Sequence, residues 1–188
     1  MNIAESALIF ACEKHQGQTR KFSGIPYILH PAEVAGIIAT MTSDLEVIAS
    51  GALHDVIEDC GVTRQELLER FGEKVLFLVT SESEDKLADR PPESTWRERK
   101  EASLDELRHA TDRNVKILWL ADKLSNMRSF YREYKINGVN VWERLHNKNI
   151  KDHAWYYTSV ANCCEELKDE AAYKEYRELL DKTFGGAQ

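Results

Sequence analysis

The residues best suited to chemistry form a short run, His54-Asp55-Val56-Ile57-Glu58-Asp59, which closes the apolar stretch of Ala52 and Leu53. Three carboxylates and an imidazole within six positions are expensive to place beside a core unless a charge repays their desolvation. A divalent cation would do so, because neutral imidazole and carboxylate oxygen are ordinary ligands of Mn, Fe and Zn. Adjacent ligands need others from elsewhere in the chain. His30, in the pair His30-Pro31, and Asp122, inside the apolar run around Ala121, supply a second His and a second Asp. Singly, His30 reads as a group satisfying a helix end and Asp122 as a partner of Lys123 or Arg128. Together they read as a metal site.

The elements that must position these groups are helical almost throughout. Ile3, Ala7, Leu8, Phe10 and Ala11 share one side of a first helix over 3–15, and Gly17 to Tyr27 reads as a loop. Pro31 suits the first turn of a second helix, and Ser43 or Asp44 can cap a third that runs on through the His-Asp pair. Thr63-Arg64-Gln65-Glu66 has the form of a capping box, with a stop near Phe71-Gly72 and a new helix from Glu73. Residues 81–94 are acidic, carry Pro91-Pro92 and lack an apolar stripe, which predicts a mobile surface loop. Helices follow from Trp96 to His109, from about Val115 to Gly138, and over about 148–168 and 170–183. No stretch alternates as a strand would. The expected fold class is all-α: one compact multi-helix domain over 1–188, its motif-bearing core in about 1–130 and its C-terminal helices in about 148–184.

The chain of 188 residues is long enough for one core, with 43% hydrophobic residues and a mean hydropathy of −0.49. No apolar run approaches the roughly 20 residues of a membrane span. Glu5 and the lack of a basic start make a poor signal peptide. Cys12, Cys60, Cys163 and Cys164 have no C-x-x-C spacing, which argues against a disulfide framework and for a reducing, cytoplasmic setting. A net charge of −7 disfavours general attraction to DNA, RNA or anionic lipid, but not a small anionic substrate. Lys14, Arg20 and Lys21 form one local basic cluster, which charge alone reads as a solvated loop.

Four blocks carry a resemblance. They are His15-Gln16-Gly17-Gln18-Thr19-Arg20-Lys21, Gly24-Ile25-Pro26-Tyr27-Ile28-Leu29-His30-Pro31, Leu53-His54-Asp55-Val56-Ile57-Glu58-Asp59 and Leu120-Ala121-Asp122-Lys123-Leu124-Ser125-Asn126-Met127. In order and approximate spacing the chain resembles the HD-domain phosphohydrolases, more narrowly the hydrolase domain of RelA/SpoT homologues and the stand-alone small alarmone hydrolases. The resemblance implies one Mn²⁺ per chain, held by His30, His54, Asp55 and Asp122. It implies removal of the 3′-pyrophosphate from guanosine tetra- or pentaphosphate, a small nucleotide substrate. Glu58, four residues after His54, would lie on the same face of a continuing helix. With Asp59 it is expected to orient or deprotonate the attacking water.

The resemblance also assigns Arg20 and Lys21 to the nucleotide, which overturns the solvated-loop reading, and gives Asn126 a ribose or phosphate contact. His15 reads as structural, and Tyr27 as packing beside the base or plugging the core. In the last third, Lys151 and Trp155 share a helical face, near Lys148, and are expected to hold the distal 5′-phosphates; core packing explains Trp155 equally well. Two residues depart from the family's usual Ala-Asp-Arg-Leu-His-Asn-Met block: Lys123 and Ser125 replace Arg and His. The departures question substrate contacts or packing more than hydrolysis. A chain of this length has no room for synthetase and regulatory domains, so hydrolysis without synthesis is expected. A related nucleotide such as ppApp or NADPH is the alternative substrate, and a non-catalytic nucleotide-binding regulator the alternative class.

Overall fold

The computed structural model describes residues 1–83, 89–145 and 147–185. Among them the chain forms nine α-helices: α1 (Ile3–Lys14), α2 (Leu29–Ile38), α3 (Leu45–Leu53), α4 (Val56–Cys60), α5 (Arg64–Glu82), α6 (Pro92–His109), α7 (Arg113–Asn137), α8 (Ile150–Cys163) and α9 (Ala171–Phe184). A 3-10 turn over Gly138–Arg144 follows α7, and a shorter one joins α8 to α9. No strand occurs among the described residues, only an isolated antiparallel bridge between Thr19 and Pro26. The all-α expectation holds.

The long helix α7 is the axis. Its Val115, Ile117, Leu118, Trp119, Leu120, Ala121, Leu124 and Met127 are buried on nearly every side, as in a helix surrounded by others. One core joins α2, α6, α7, α8 and α9 through residues such as Ile38, Leu104, Leu118, Tyr156 and Tyr176. A second lies beneath α1, α3 and α5, with Phe10, Leu53, Leu67 and Val75. Helices α2 and α3 approach closely because Gly51 lacks a side chain: a Cβ there would stand 2.5 Å from Ile38 Cδ1 and 3.2 Å from the Ala35 backbone. That contact sets the separation of His30, in the first turn of α2, and His54, which directly follows α3.

Local chemistry explains most boundaries. Asp44 caps α3 by accepting the Glu46 N–H, and Thr63 caps α5 by accepting that of Glu66. Within α5, Gly72 has φ of 84°, a left-handed value that kinks the helix at the stop read from sequence. Three boundaries differ from expectation. The third helix ends at Leu53, and His54-Asp55 form a turn before α4, so Glu58 and Asp59 stand in the first turn of a new helix, where carboxylates suit the macrodipole. The predicted 81–94 loop is shorter, because Ser81 and Glu82 complete α5 and α6 begins at Pro92; residues 84–88 lie outside the described residues. The helix over 148–168 begins at Ile150 and ends at Cys163.

Candidate metal centre and nucleotide cleft

Three segments of the bundle converge on one point. His30 comes from the first turn of α2, His54 and Asp55 from the turn between α3 and α4, and Asp122 from the middle of α7. His30 Nε2 lies 3.0 Å from Asp122 Oδ1 and 3.7 Å from Asp55 Oδ2. His54 Nε2 lies 2.9 Å from Asp55 Oδ2 and 3.6 Å from Asp122 Oδ1. His30, His54 and Asp122 are buried and offer ligand atoms all within 4.8 Å of one another. Two imidazole nitrogens and two carboxylates in this arrangement form a donor set for Mn, Fe or Zn.

Hydrogen bonds behind the rings support that fit. His54 Nδ1 is 2.9 Å from the Gly51 carbonyl, which can only accept, so Nδ1 carries the proton and Nε2 faces the centre with a lone pair. His54 Nε2 is buried and, despite its proximity to Asp55, has no hydrogen-bond partner of acceptable geometry. An orphaned nitrogen facing carboxylate oxygens suits a positive charge there, a metal cation or a proton. Electrostatics reports the same need. Burial pulls the His54 pKa down, but Asp55 and Asp122 overcome it and hold it well above the ordinary value. Burial wins at His30, whose pKa is lowered despite Asp122. Asp122 is held well below the usual carboxylate range, with Lys123 and the two imidazoles prevailing over burial.

Other groups grip the carboxylates. Tyr27 O–H donates to Asp55 Oδ2 at 2.7 Å, and burial together with Asp55 raises the phenol's pKa, so it remains a donor. Tyr27 therefore neither plugs the core nor only flanks a base: it fixes a carboxylate of the cluster. Asn126 Nδ2 donates to Asp122 Oδ1 at 2.7 Å, and its Oδ1 accepts Arg20 Nη2 at 3.0 Å. Lys123 Nζ pairs with Asp122 Oδ2 and reaches Glu82 Oε1 at 3.1 Å. Burial pushes the Glu82 pKa up to about 8 against the pull of Lys123. His15 ties the loop to α4 through Gln18 at 2.8 Å and Cys60 Sγ at 3.2 Å.

One cavity opens onto this centre, and two clefts lie next to it. One of about 160 Å³ is lined by His54, Asp55, Glu58, Glu82, Asp122 and Lys123. Beside it, a cleft of about 310 Å³ brings together Lys21, Arg99, Lys100, Lys123, Asn126 and Tyr156. A third, of about 610 Å³, includes Arg20, Lys21, Phe22, Tyr27, Asp59 and Asn126. Glu58 thus faces the metal-site cavity, while the exposed Asp59 borders the larger cleft. The ribbon closed by the Thr19–Pro26 bridge carries Arg20 and Lys21 to the cleft.

Two predicted substrate residues are not brought there. Lys151 is exposed at the start of α8, and Trp155 stacks on Arg97, whose guanidinium is 3.3 Å from the ring centroid, in a separate groove. The cause is the register of α8: its buried face presents His153, Tyr156 and Tyr157, so Tyr156 and not its neighbour Trp155 lines the cleft. Among the residues that line these cavities, sequence reasoning did not single out Arg99, Lys100 or Glu82. Lys100 follows Trp96 by one helical turn, a usable but weak signal.

The HD-domain family model matches residues 7–149, and the chain belongs to the HD-domain family. Within it, the chain is 43% identical over 127 residues to a guanosine-3′,5′-bis(diphosphate) 3′-pyrophosphohydrolase of Vibrio cholerae, a match covering 64% of this chain and 17% of that protein. It is 40% identical over 129 residues to the bifunctional (p)ppGpp synthase/hydrolase SpoT of Escherichia coli K12, over 65% of this chain and 17% of that one. The chain thus spans under a fifth of the length of these curated relatives. A solved structure, a metazoan ortholog of SpoT described as hydrolysing ppGpp, superposes with a TM-score of 0.76 at 24% identity, over 100% of this chain and 96% of that one. A structure from Listeria monocytogenes EGD-e superposes at 0.72 with 29% identity, over 83% and 99%. No described helix is long and apolar enough to cross a membrane.

Proposed function

We propose that the protein is a metal-dependent hydrolase that removes the 3′-pyrophosphate from (p)ppGpp, leaving GDP or GTP. The observation that carries this is the junction of two unlike cavities: a buried His/Asp cluster opens beside a cleft lined by Lys21, Arg99, Lys100 and Lys123. One end suits a cation and the other a polyphosphate. The curated relatives with this activity support the choice of substrate.

In this reading His30, His54, Asp55 and Asp122 hold one Mn²⁺. When bound, the ion supplies Lewis acidity to the phosphoryl group and to the attacking water. Glu58, at the mouth of the metal cavity, takes the proton of that water, and Asp59 on the next residue orients it from the cleft side. The water oxygen bonds to phosphorus as the bond to the ribose 3′-oxygen breaks; a proton from solvent, matching the one Glu58 gives back to it, leaves that oxygen a hydroxyl, and pyrophosphate departs. Asn126 and Arg20, already bonded to each other, hold the ribose and base, with Lys21 a point charge for phosphate. The cations along the cleft hold the pyrophosphate beside the cluster, and the base lies toward Arg20, Phe22 and Tyr27. A cytoplasmic nucleotide pool supplies such a substrate, and we place the protein there.

The test is pyrophosphate release from ppGpp by purified protein with Mn²⁺, beside an active control enzyme. Stoichiometric GDP and pyrophosphate are expected, and no release sinks the reading. A second substrate class has one observation in its favour: the base end offers flat faces, from Arg20, Phe22 and Tyr27, which accept adenine as readily as guanine. Comparing kcat/KM for ppGpp, ppApp and NADPH separates the two. Binding of all three without turnover would instead mark a regulator.

A further inference from the structure

We infer that Ser125 is a positioning residue for His30, fixing the tautomer in which the imidazole presents a bare Nε2 to the metal centre. The inference rests on the proposed metal site and assigns a role to a residue at which the chain departs from the familiar HD block.

His30 Nδ1 lies 2.8 Å from Ser125 Oγ, and both residues are buried. A serine hydroxyl can donate or accept, so this contact alone leaves the ring's tautomer open. Glu33 removes the ambiguity. Its Oε2 lies 2.7 Å from the same Oγ, and an ionised carboxylate only accepts. The single hydroxyl proton therefore points at Glu33, and the lone pair of Oγ receives Nδ1–H of His30. The proton is held on the far side of the ring against the competing pull of the Asp122 carboxylate, 3.0 Å from Nε2, so that Nε2 can offer a lone pair to a cation between it, Asp122 and Asp55.

Glu33 is itself held. Its Oε1 accepts Arg128 Nη1 at 2.9 Å, while Glu175 of α9 grips the same guanidinium through two bonds of 2.6 Å. Bidentate carboxylate–guanidinium pairs are strong and fix the geometry of both partners. The result is a continuous relay, Glu175–Arg128–Glu33–Ser125–His30, running from α9 across α7 to α2. It does for His30 what the Gly51 carbonyl does for His54. A serine in place of an imidazole makes Glu33 necessary, because the hydroxyl alone does not choose its direction. Groups behind a metal-binding imidazole raise its basicity and set its orientation, and losing one costs about 10–100-fold in metal affinity.

The test has two readouts, neither of them activity. Long-range ¹H–¹⁵N spectra of metal-free protein above neutral pH should show His30 with Nδ1 protonated and Nε2 bare. In Ser125→Ala the His30 signals should move toward the Nε2-protonated form, and Ser125→Thr, which keeps the hydroxyl, should restore the wild-type pattern. In Mn²⁺ titrations Ser125→Ala and Glu33→Ala should each weaken binding by about 10–100-fold. The double variant should be no worse than Ser125→Ala, because the two act through one bond. An unchanged His30 tautomer in Ser125→Ala, or Mn²⁺ affinity equal to wild type, overturns the inference. Wild-type protein that binds no Mn²⁺ would sink the metal reading instead, and the metal-free spectra would still decide the role of Ser125.

Discussion

The two cavities that share Lys100, Lys123 and Tyr156 are built on opposite plans. Around the small one each group of the His/Asp cluster is tied to a neighbour behind it: Asp55 to Tyr27, Asp122 to Asn126 and Lys123, His54 to Gly51, His30 to Ser125. In the larger cleft the cations lie on separate elements. Lys21 comes from the ribbon, Arg99 and Lys100 from α6 and Lys123 from α7, with Tyr156 of α8 as a wall. Low dielectric makes a buried, half-satisfied network costly, so the metal end must be assembled before any ligand arrives. The cationic end faces water and can adapt its long side chains to a polyphosphate. On the proposed mechanism, rigidity is concentrated where a water must be aimed, and adaptability where charge has only to be neutralised.

Removing a member of the tied network gives the largest effect that this contrast predicts. Asp122→Ala deletes one ligand, strands Lys123 with Glu82 alone and leaves two imidazoles facing a single carboxylate. Metal content after dialysis should fall to near zero and hydrolysis with it, while the far-UV helical signal persists because the core around α7 is apolar. Full metal occupancy in this variant would take Asp122 out of the site.

Glu58 lies on the border between the two plans, facing the metal cavity but outside the ligand cluster. Glu58→Gln keeps shape and removes the base, so turnover should drop by about 10²–10⁴-fold with metal content unchanged. Asp59→Asn, on the exposed side, should be affected less. Equal losses of metal and activity in Glu58→Gln would place it among the ligands.

A cation of the open cleft should behave differently again. Lys100→Met is expected to raise KM for ppGpp by about tenfold, or about 1.4 kcal/mol of binding, with Mn²⁺ affinity unaltered. Wild-type KM should rise with ionic strength and that of the variant less so, since screening acts on solvated charges. Lys151→Met serves as the control and should leave both constants unchanged; a KM effect as large as that of Lys100→Met would return the distal phosphates to the start of α8.

The same contrast explains what was legible in the sequence. His30, His54, Asp55, Asp122 and Asn126 each stand inside an apolar or punctuated block, where a polar residue is conspicuous, and the structure brings all five together. Arg99 and Lys100 sit in the charged run Arg97 to Glu101, where nothing separates a ligand-facing cation from a solvated one, and Glu82 opens an acidic run that reads as a surface loop. The break at His54-Asp55 is invisible in the sequence because residues 52–60 continue a helical pattern with no Gly or Pro, and Gly51 before them serves packing. Trp155 misled for a different reason: adjacent aromatics on α8 leave a one-residue ambiguity of register that only the packed core resolves. Gly72 and Gly138 were readable because a left-handed or terminating glycine marks its own position.

The smallest effect concerns a residue that supports the tied network from outside. Asp44 caps α3, the helix that leads into His54, through Glu46 N–H at 3.0 Å, and pairs with Lys74 of α5. Asp44→Ala removes both contacts and should cost about 1 kcal/mol of stability. Asp44→Asn keeps a capping oxygen and loses only the ion pair, whose partners are more than a third exposed, and should cost less than about 1 kcal/mol. The hydrogen bond from Lys74 depresses the Asp44 pKa below its ordinary 3.8, so the charge stabilises the fold above that value and its contribution fades as pH falls through the lower, folded one. Urea midpoints of wild type and Asp44→Asn should therefore differ slightly at neutral pH and converge in acid. Mn²⁺ affinity should be the same in both, because Gly51 and its contact with α2, not the cap, set the position of His54. A metal affinity that tracked the loss of stability would show that the centre depends on the whole of α3, and that its rigidity extends well beyond the groups that touch it.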